Sequence, residues 1–170
     1  MKSIIHSALA IILLSSTALG EIFIGVYVVE TNPKEGYVRV QNEKLKLDGY
    51  IAQKPDSKIT AVKYALSLPP REVVTMSKTG EEEGRHMTKG HELTVTLEKC
   101  DHPSFAAVTQ LANGKKILLR FGKEDLLAMP AHQPITNGMF SLSGVEEKQA
   151  LRLAELFQSL MNTEKDKMTQ

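Results

Sequence analysis

Apolar and polar positions alternate along much of the chain, and this pattern predicts short β-strands. Residues 22–29 are instead apolar almost without a break and rich in β-branched and aromatic types, which predicts a strand buried on both faces. A turn cluster at 32–36 separates this run from the alternating stretch 37–40, so we expect the two to pair as a hairpin. Shorter strands are predicted at 45–47 and, more ambiguously, at 59–68, where Pro69 and Pro70 end the pattern.

The second half of the chain mixes strand and helix patterns. Leu93, Val95 and Leu97 alternate with threonines, as in a strand with one buried face. A helix is predicted next, with Asp101 as its cap and Asn113 at its end. Further strands are predicted over 117–121, 126–129 and 139–142, and a final helix over 145–161 after a Ser143-Gly144 cap.

Residues 71–91 are polar and punctuated by glycine, with three glutamates at 81–83. This composition predicts a long loop or a hairpin tip exposed to solvent. Such a segment is either a plain connection or a functional lid.

The order of elements over 92–161 predicts an α+β fold. The economical arrangement is an antiparallel sheet with two helices on one face, built on a ferredoxin-like split βαβ core. Residues 21–91 are then an N-terminal β-rich part that contains the hairpin and the polar loop 71–91. The polar tail 162–170 is expected to be flexible.

Residues 1–20 have the pattern of a secretory signal peptide. Lys2 precedes an apolar core from Ile4 to Leu14, and small residues follow. The predicted cleavage region is formed by Ala18, Gly20 and Glu21. The core is too short to span a bilayer. The sequence therefore predicts an exported protein, periplasmic or secreted; the alternative is an uncleaved membrane anchor running on to Val29.

Composition and charge exclude several functional classes. The 170 residues hold 21 Lys+Arg and 20 Asp+Glu; cleavage after Gly20 removes Lys2 and leaves 20 of each. A neutral balance argues against nucleic acid as a partner. A lone cysteine, Cys100, makes no internal disulfide, and we expect it to be buried rather than paired with another chain.

No set of residues in the sequence predicts catalysis. His86, His91, His102 and His132 lack zinc-hydrolase spacing, and Ser143 does not lie in a nucleophile elbow. We therefore predict a protein that is not an enzyme, with no catalytic residues, no metal site, no cofactor and no cofactor-binding residues.

Several short motifs of the second half occur in an order known from one family. The chain resembles the first periplasmic (P1) head subdomain of SecD and SecDF, membrane subunits that assist protein export, over residues 93–144. The motifs are Val95-Thr96-Leu97, Phe105-Ala106 with Thr109, Gly114-Lys115, Leu126 with Ala128, Pro134-Ile135-Thr136-Asn137-Gly138, and Ser141-Leu142-Ser143-Gly144.

The loop of Pro134, Ile135, Thr136, Asn137 and Gly138 is the most specific of these motifs. The family typically has Pro-Ile-Thr-Gly-Gly there, so Asn137 replaces a glycine, a change compatible with a left-handed turn. The family's Asp-Gly hairpin is replaced by Gly122-Lys123-Glu124. The chain also lacks the transmembrane helices of SecD, so only a head fold is implied.

The resemblance implies a stand-alone exported protein that binds polypeptide and assists protein export or envelope assembly. The loop 134–138 is then the candidate interaction site, and exported polypeptides or an envelope or membrane protein are the candidate partners. Two alternatives stay open: a small-ligand binder or enzyme on the same fold, and a structural envelope protein docked to a membrane partner. The sequence leaves the oligomeric state open.

Overall fold

The computed structural model describes residues 22–167, with side chains up to Met161. That part forms eleven strands and two helices. They are β1 (Ile24–Val28), β2 (Tyr37–Asn42), β3 (Leu47–Ala52), β4 (Ser57–Ile59), β5 (Val62–Leu68), β6 (Glu72–Met76), β7 (Glu82–Met87), β8 (His91–Leu97), α1 (His102–Ala112), β9 (Lys116–Phe121), β10 (Glu124–Pro130), β11 (Met139–Val145) and α2 (Glu147–Lys167). The predicted signal peptide, with Ala18, Gly20 and Glu21, lies outside the described residues.

Strand β1 lies inside a four-stranded antiparallel sheet with the order β10-β9-β1-β4. Val26 stands opposite Leu119 of β9 on one side and opposite Ser57 of β4 on the other. All five residues of β1 are buried, as the unbroken apolar run predicts. The expected hairpin between 22–29 and 37–40 is therefore wrong, because β1 takes its neighbours from distant parts of the chain.

The N-terminal hairpin that does form consists of β2 and β3, paired from Tyr37 to Ala52. It covers the face of the four-stranded sheet that is turned away from the helices. Backbone hydrogen bonds of 2.8 Å in both directions between Glu30 and Tyr50 join it to the chain just after β1. The buried residues of this outer core are Tyr27, Val29, Val40, Leu47, Ile51 and Leu118.

A second, three-stranded antiparallel sheet has the order β11-β8-β5. Helix α2 packs on β5 and β8, while α1 packs on β1, β4 and β9. One inner core joins both sheets and both helices. At its centre the ring centroids of Phe105 and Phe140 are 5.4 Å apart, and those of Phe140 and Phe157 are 6.1 Å apart.

Of the two alternatives for residues 71–91, the structure shows the hairpin, formed by β6 and β7 with a register shift between Thr75 and Met76. Almost all its side chains are exposed on both faces, so the sequence carries no apolar alternation that would reveal the strands. A turn held by the Ser77 hydroxyl, which accepts the amides of Thr79 and Glu81, reverses the chain.

The ends of the helices differ from the predicted ones. Asp101 stands at the N-cap position of α1, but its side chain makes no cap hydrogen bond. Asn113 does end α1, in the left-handed region with φ of 35°. Ser143 does not cap α2, because it lies in an irregular part of β11. Helix α2 also continues past Met161 to Lys167, since no proline or glycine stops it there.

The α+β class with antiparallel strands is confirmed. Seven strands form two core sheets instead of one, each with a helix packed on it, and the other four form the β2–β3 and β6–β7 hairpins. Strands from both sides of residue 92 build both sheets, so the N-terminal part and the head-like part share one core. Cys100 is exposed, which makes the expected burial wrong. No helix in the described part is long and apolar enough to cross a membrane.

Candidate functional site

The candidate loop, Pro134–Gly138, is fixed to the core at both ends. Before it, Ala131 exchanges backbone hydrogen bonds with Gly114 and Lys115, at 2.6 and 2.9 Å. In the middle, the Ile135 amide donates to the buried Thr109 hydroxyl at 2.9 Å. The side chains of Pro134, Thr136 and Asn137 stay exposed on this support. The loop therefore presents a pre-ordered surface rather than a lid.

Gly138 closes the loop against the first turn of α1. Its φ is +63°, and a β-carbon there would collide with the imidazole ring of His102. The Nε2 atom of that ring lies 3.1 Å from the Leu97 carbonyl oxygen. His102 therefore packs under the loop, and a glycine is required above it.

Strand β11 begins directly after the loop, and some of its backbone amides and carbonyls point away from its neighbour β8. The Leu97 amide donates to the Gly138 carbonyl at 2.9 Å, in the same register that pairs Phe140 with Val95. The backbone amides and carbonyls of an antiparallel strand point alternately to one neighbour and to the other. Since Gly138 and Phe140 bond to β8, the backbone groups of Met139 and Ser141 point away from β8. The Met139 amide donates a hydrogen bond to the Asn137 side-chain oxygen at 3.0 Å. Ser141 is the next outward position.

A groove separates β11 from β10, the edge strand of the other sheet. Its cavity has a volume of about 390 Å³. Leu127 and Ala128 line it from β10, residues 142–145 from β11, and Gln149 and Leu153 from α2. The turn between β2 and β3, residues 44–46, lines the remaining side. The edges of both core sheets thus border one cavity, which we call the β10–β11 groove.

The β10–β11 groove shares lining residues with a larger cavity of about 870 Å³ between β10 and α2. Ion pairs occupy its polar wall: Arg152 with Glu124 at 2.7 Å, and Arg120 with Asp125 at 2.7 Å. The carboxylates of this larger cavity lie at β10 and along α2, whereas the lining of the β10–β11 groove includes none.

The lysines around this region differ in their partners. Lys34 and Lys115 both bind the Glu30 carboxylate, at 2.7 and 2.9 Å, and these bonds lower the pKa of Glu30 below its ordinary value. Lys44 and Lys46 line the β10–β11 groove, and among the described residues neither is within ion-pair distance of a carboxylate.

The other polar residues that the sequence draws attention to do not meet in one place. His91 Nδ1 lies 3.2 Å from the Ser67 hydroxyl. His132 is exposed next to the candidate loop, and His86 is exposed on the β6–β7 hairpin. Within residues 22–167, three or more His, Cys, Asp or Glu side chains nowhere cluster in a way that could hold a metal ion.

The β10–β11 groove was not predicted from the sequence. Its walls come from segments far apart in the chain, at 44–46, 127–128, 142–145 and 149–153. The one sequence motif that belongs to the groove is Ser-Leu-Ser-Gly at 141–144. It lies in the edge strand β11, whereas the sequence suggested a cap of the final helix.

Comparison with known proteins gives matches to solved structures alone. No protein-family model matches the chain, and no curated protein matches it by sequence. A structure of SecDF, described as a membrane component that enhances protein export, aligns over 82% of this chain and 63% of its own, with a TM-score of 0.49 and 14% identity. SecDF in its super-membrane-facing form aligns over 82% and 19%, with a TM-score of 0.46 and 15% identity. This chain thus spans less than two thirds of either SecDF chain.

Proposed function

We propose that this protein is a non-catalytic, extracytoplasmic module that binds extended polypeptide by strand addition to β11. The N-terminal signal pattern supports export. The scattered placement of histidines, carboxylates and the thiol supports a binding role rather than a catalytic one. Strand addition uses main-chain hydrogen bonds for affinity, so it suits partners of varied sequence.

The observation that carries the proposal is the difference between Ser141 on β11 and the backbone groups on the other edges of the two core sheets. Strand β4 has three residues. At β5, the Gln158 side chain of α2 donates to the outward Ala65 carbonyl at 3.1 Å. At β10, Pro130 brings no N–H, and Gln149 reaches the Leu126 carbonyl at 3.5 Å. Each of these edges is short, interrupted by proline or partly covered by α2, and proteins commonly use such devices to avoid unwanted pairing.

The edge of β11 has no such cover at Ser141. Among the described residues, no side chain is hydrogen-bonded to the outward backbone groups of Ser141, and the strand borders an open groove. An incoming strand would find an amide and a carbonyl there, three residues after the candidate loop ends at Gly138. The loop and the edge therefore form one binding surface.

Site-specific photocrosslinking in living cells tests this function. A photoreactive residue at Thr136 leaves the Asn137–Met139 hydrogen bond intact, and one at Lys78, on the tip of the β6–β7 hairpin, is the control. We expect exported polypeptides of several kinds to be captured at 136 and absent at 78. Capture of one discrete membrane protein would instead favour a docked structural role. Equal capture at both positions, or none above background, would contradict the proposed function.

A further inference from the structure

The turn between β2 and β3 is held rigidly over the β10–β11 groove. The Asn42 side chain accepts the Leu45 amide at 3.2 Å and donates to Asp125 of β10 at 3.4 Å. Lys116 donates to the Lys46 carbonyl at 2.6 Å, and Lys46 itself has a φ of 48°. These bonds fix the position of the lysine-bearing turn relative to β9 and β10 of the four-stranded sheet.

The turn brings positive charge to a groove whose other lining residues are all uncharged. Lys44 and Lys46 are the charged residues of its lining. Glu43, in the same turn, is exposed and does not line the cavity. The rest of the wall is aliphatic or neutral, mainly from Leu127, Leu142, Val145 and Leu153. Two lysines on a cleft whose lining holds no carboxylate form an environment that favours an anionic guest.

We infer that the extended segment bound along β11 carries an acidic residue, whose carboxylate is bound by Lys44 and Lys46. The inference rests on the proposed function and adds the chemistry of the partner. A glutamate side chain fits the groove, because its methylene groups can lie on the aliphatic wall while its carboxylate reaches the lysines. A segment that ends in a free C-terminal carboxylate offers the same charge from another source.

A peptide-binding assay with the protein expressed in full tests the inference. The reference probe is a fluorescent ten-residue peptide of alternating threonine and valine with one central glutamate and both ends blocked. Two companions replace the glutamate by glutamine, either with blocked ends or with a free C-terminal carboxylate. We expect the glutamate peptide to bind about tenfold more tightly than the blocked glutamine peptide. Tight binding of the third peptide would identify the chain end as a second source of the carboxylate.

Charge-reversal variants of the protein test whether the preference for the glutamate peptide comes from the lysines of the groove. The double variant Lys44→Glu with Lys46→Glu is compared with Lys54→Glu with Lys78→Glu, which changes the net charge equally at exposed positions outside the cavity lining. We expect the first pair to reduce affinity for the glutamate peptide by about tenfold or more and to leave the blocked glutamine peptide nearly unaffected. The control pair should change neither, and thermal melts show that all variants are folded.

Two results overturn different statements. Equal binding of the glutamate and glutamine peptides, or equal losses in both double variants, would refute the acidic partner while leaving strand addition intact. Absence of binding by every peptide, together with no capture at Thr136 in cells, would refute the proposed function itself.

Discussion

At the residue scale, several polar side chains at and near α1 hold the backbone of neighbouring segments in place. The Asp101 carboxylate, 6% exposed, accepts the amides of Thr60 and Ala61 at 2.7 and 2.8 Å and the Thr60 hydroxyl at 3.0 Å. It thereby ties the start of α1 to the link between β4 and β5. Thr109 and His102 support the candidate loop in a similar way. A buried carboxylate is stable in such a place because its hydrogen bonds replace those to water.

Replacement of this carboxylate should destabilise the protein. We expect Asp101→Ala to lower the free energy of unfolding by about 3 kcal/mol, because the amides of Thr60 and Ala61 lose their acceptor inside the fold. Urea denaturation measures the change. The control is Asp48→Ala, which removes a solvent-exposed ion pair with Arg39 and should cost less than about 1 kcal/mol. Similar losses in the two variants would contradict the role assigned to Asp101.

At the scale of elements, the β2–β3 hairpin has two tasks. It covers the outer face of β1 and β9 through residues such as Ile51, which is fully buried. Its turn also carries Lys44 and Lys46 to the groove. The position of the lysines therefore depends on how firmly the hairpin packs on the four-stranded sheet.

A matched pair of truncations tests that packing. Ile51 and Val38 stand opposite each other on the hairpin, but Val38 is 42% exposed. We expect Ile51→Ala to cost about 2–5 kcal/mol of unfolding free energy and Val38→Ala less than about 1 kcal/mol. If the cost at Ile51 did not exceed the cost at Val38, the hairpin would not be packed as described. Thermal or urea unfolding of both variants provides the comparison.

The sequence predicted those elements whose signal is local. Strand β8 alternates cleanly, and α1 ends at Asn113 as expected, because burial and turn chemistry are written in adjacent residues. The partner of β1 could not be predicted, because its neighbours β4 and β9 are distant in the chain. For residues 71–91 the sequence left a loop and a hairpin tip as alternatives, because the exposed faces of β6 and β7 carry no apolar period.

At the scale of the whole molecule, the candidate site arises from the way two sheets share one core. The sheets β10-β9-β1-β4 and β11-β8-β5 present the edges β10 and β11 to the same groove, and α2 lies along it. The loop 134–138 was predicted from its motif. Its position beside the edge of β11 could not be, because that edge is set by long-range packing. The acidic guest inferred for the groove depends on a third segment, the turn at 44–46.

The most direct test of strand addition is a proline at the outward position of β11. Proline is tolerated where the N–H of an edge strand faces away from its sheet, so Ser141→Pro should keep the β11–β8 pairing and block an incoming strand. Ser141→Ala is the control, since it removes the same hydroxyl, which lies 2.9 Å from that of Thr94, and keeps the amide. The quantity measured is the yield of polypeptide captured by a photoreactive residue at Thr136 in living cells. We predict that capture falls about tenfold or more in Ser141→Pro and is kept in Ser141→Ala, with both proteins folded. Undiminished capture by a folded Ser141→Pro protein would contradict strand addition at β11.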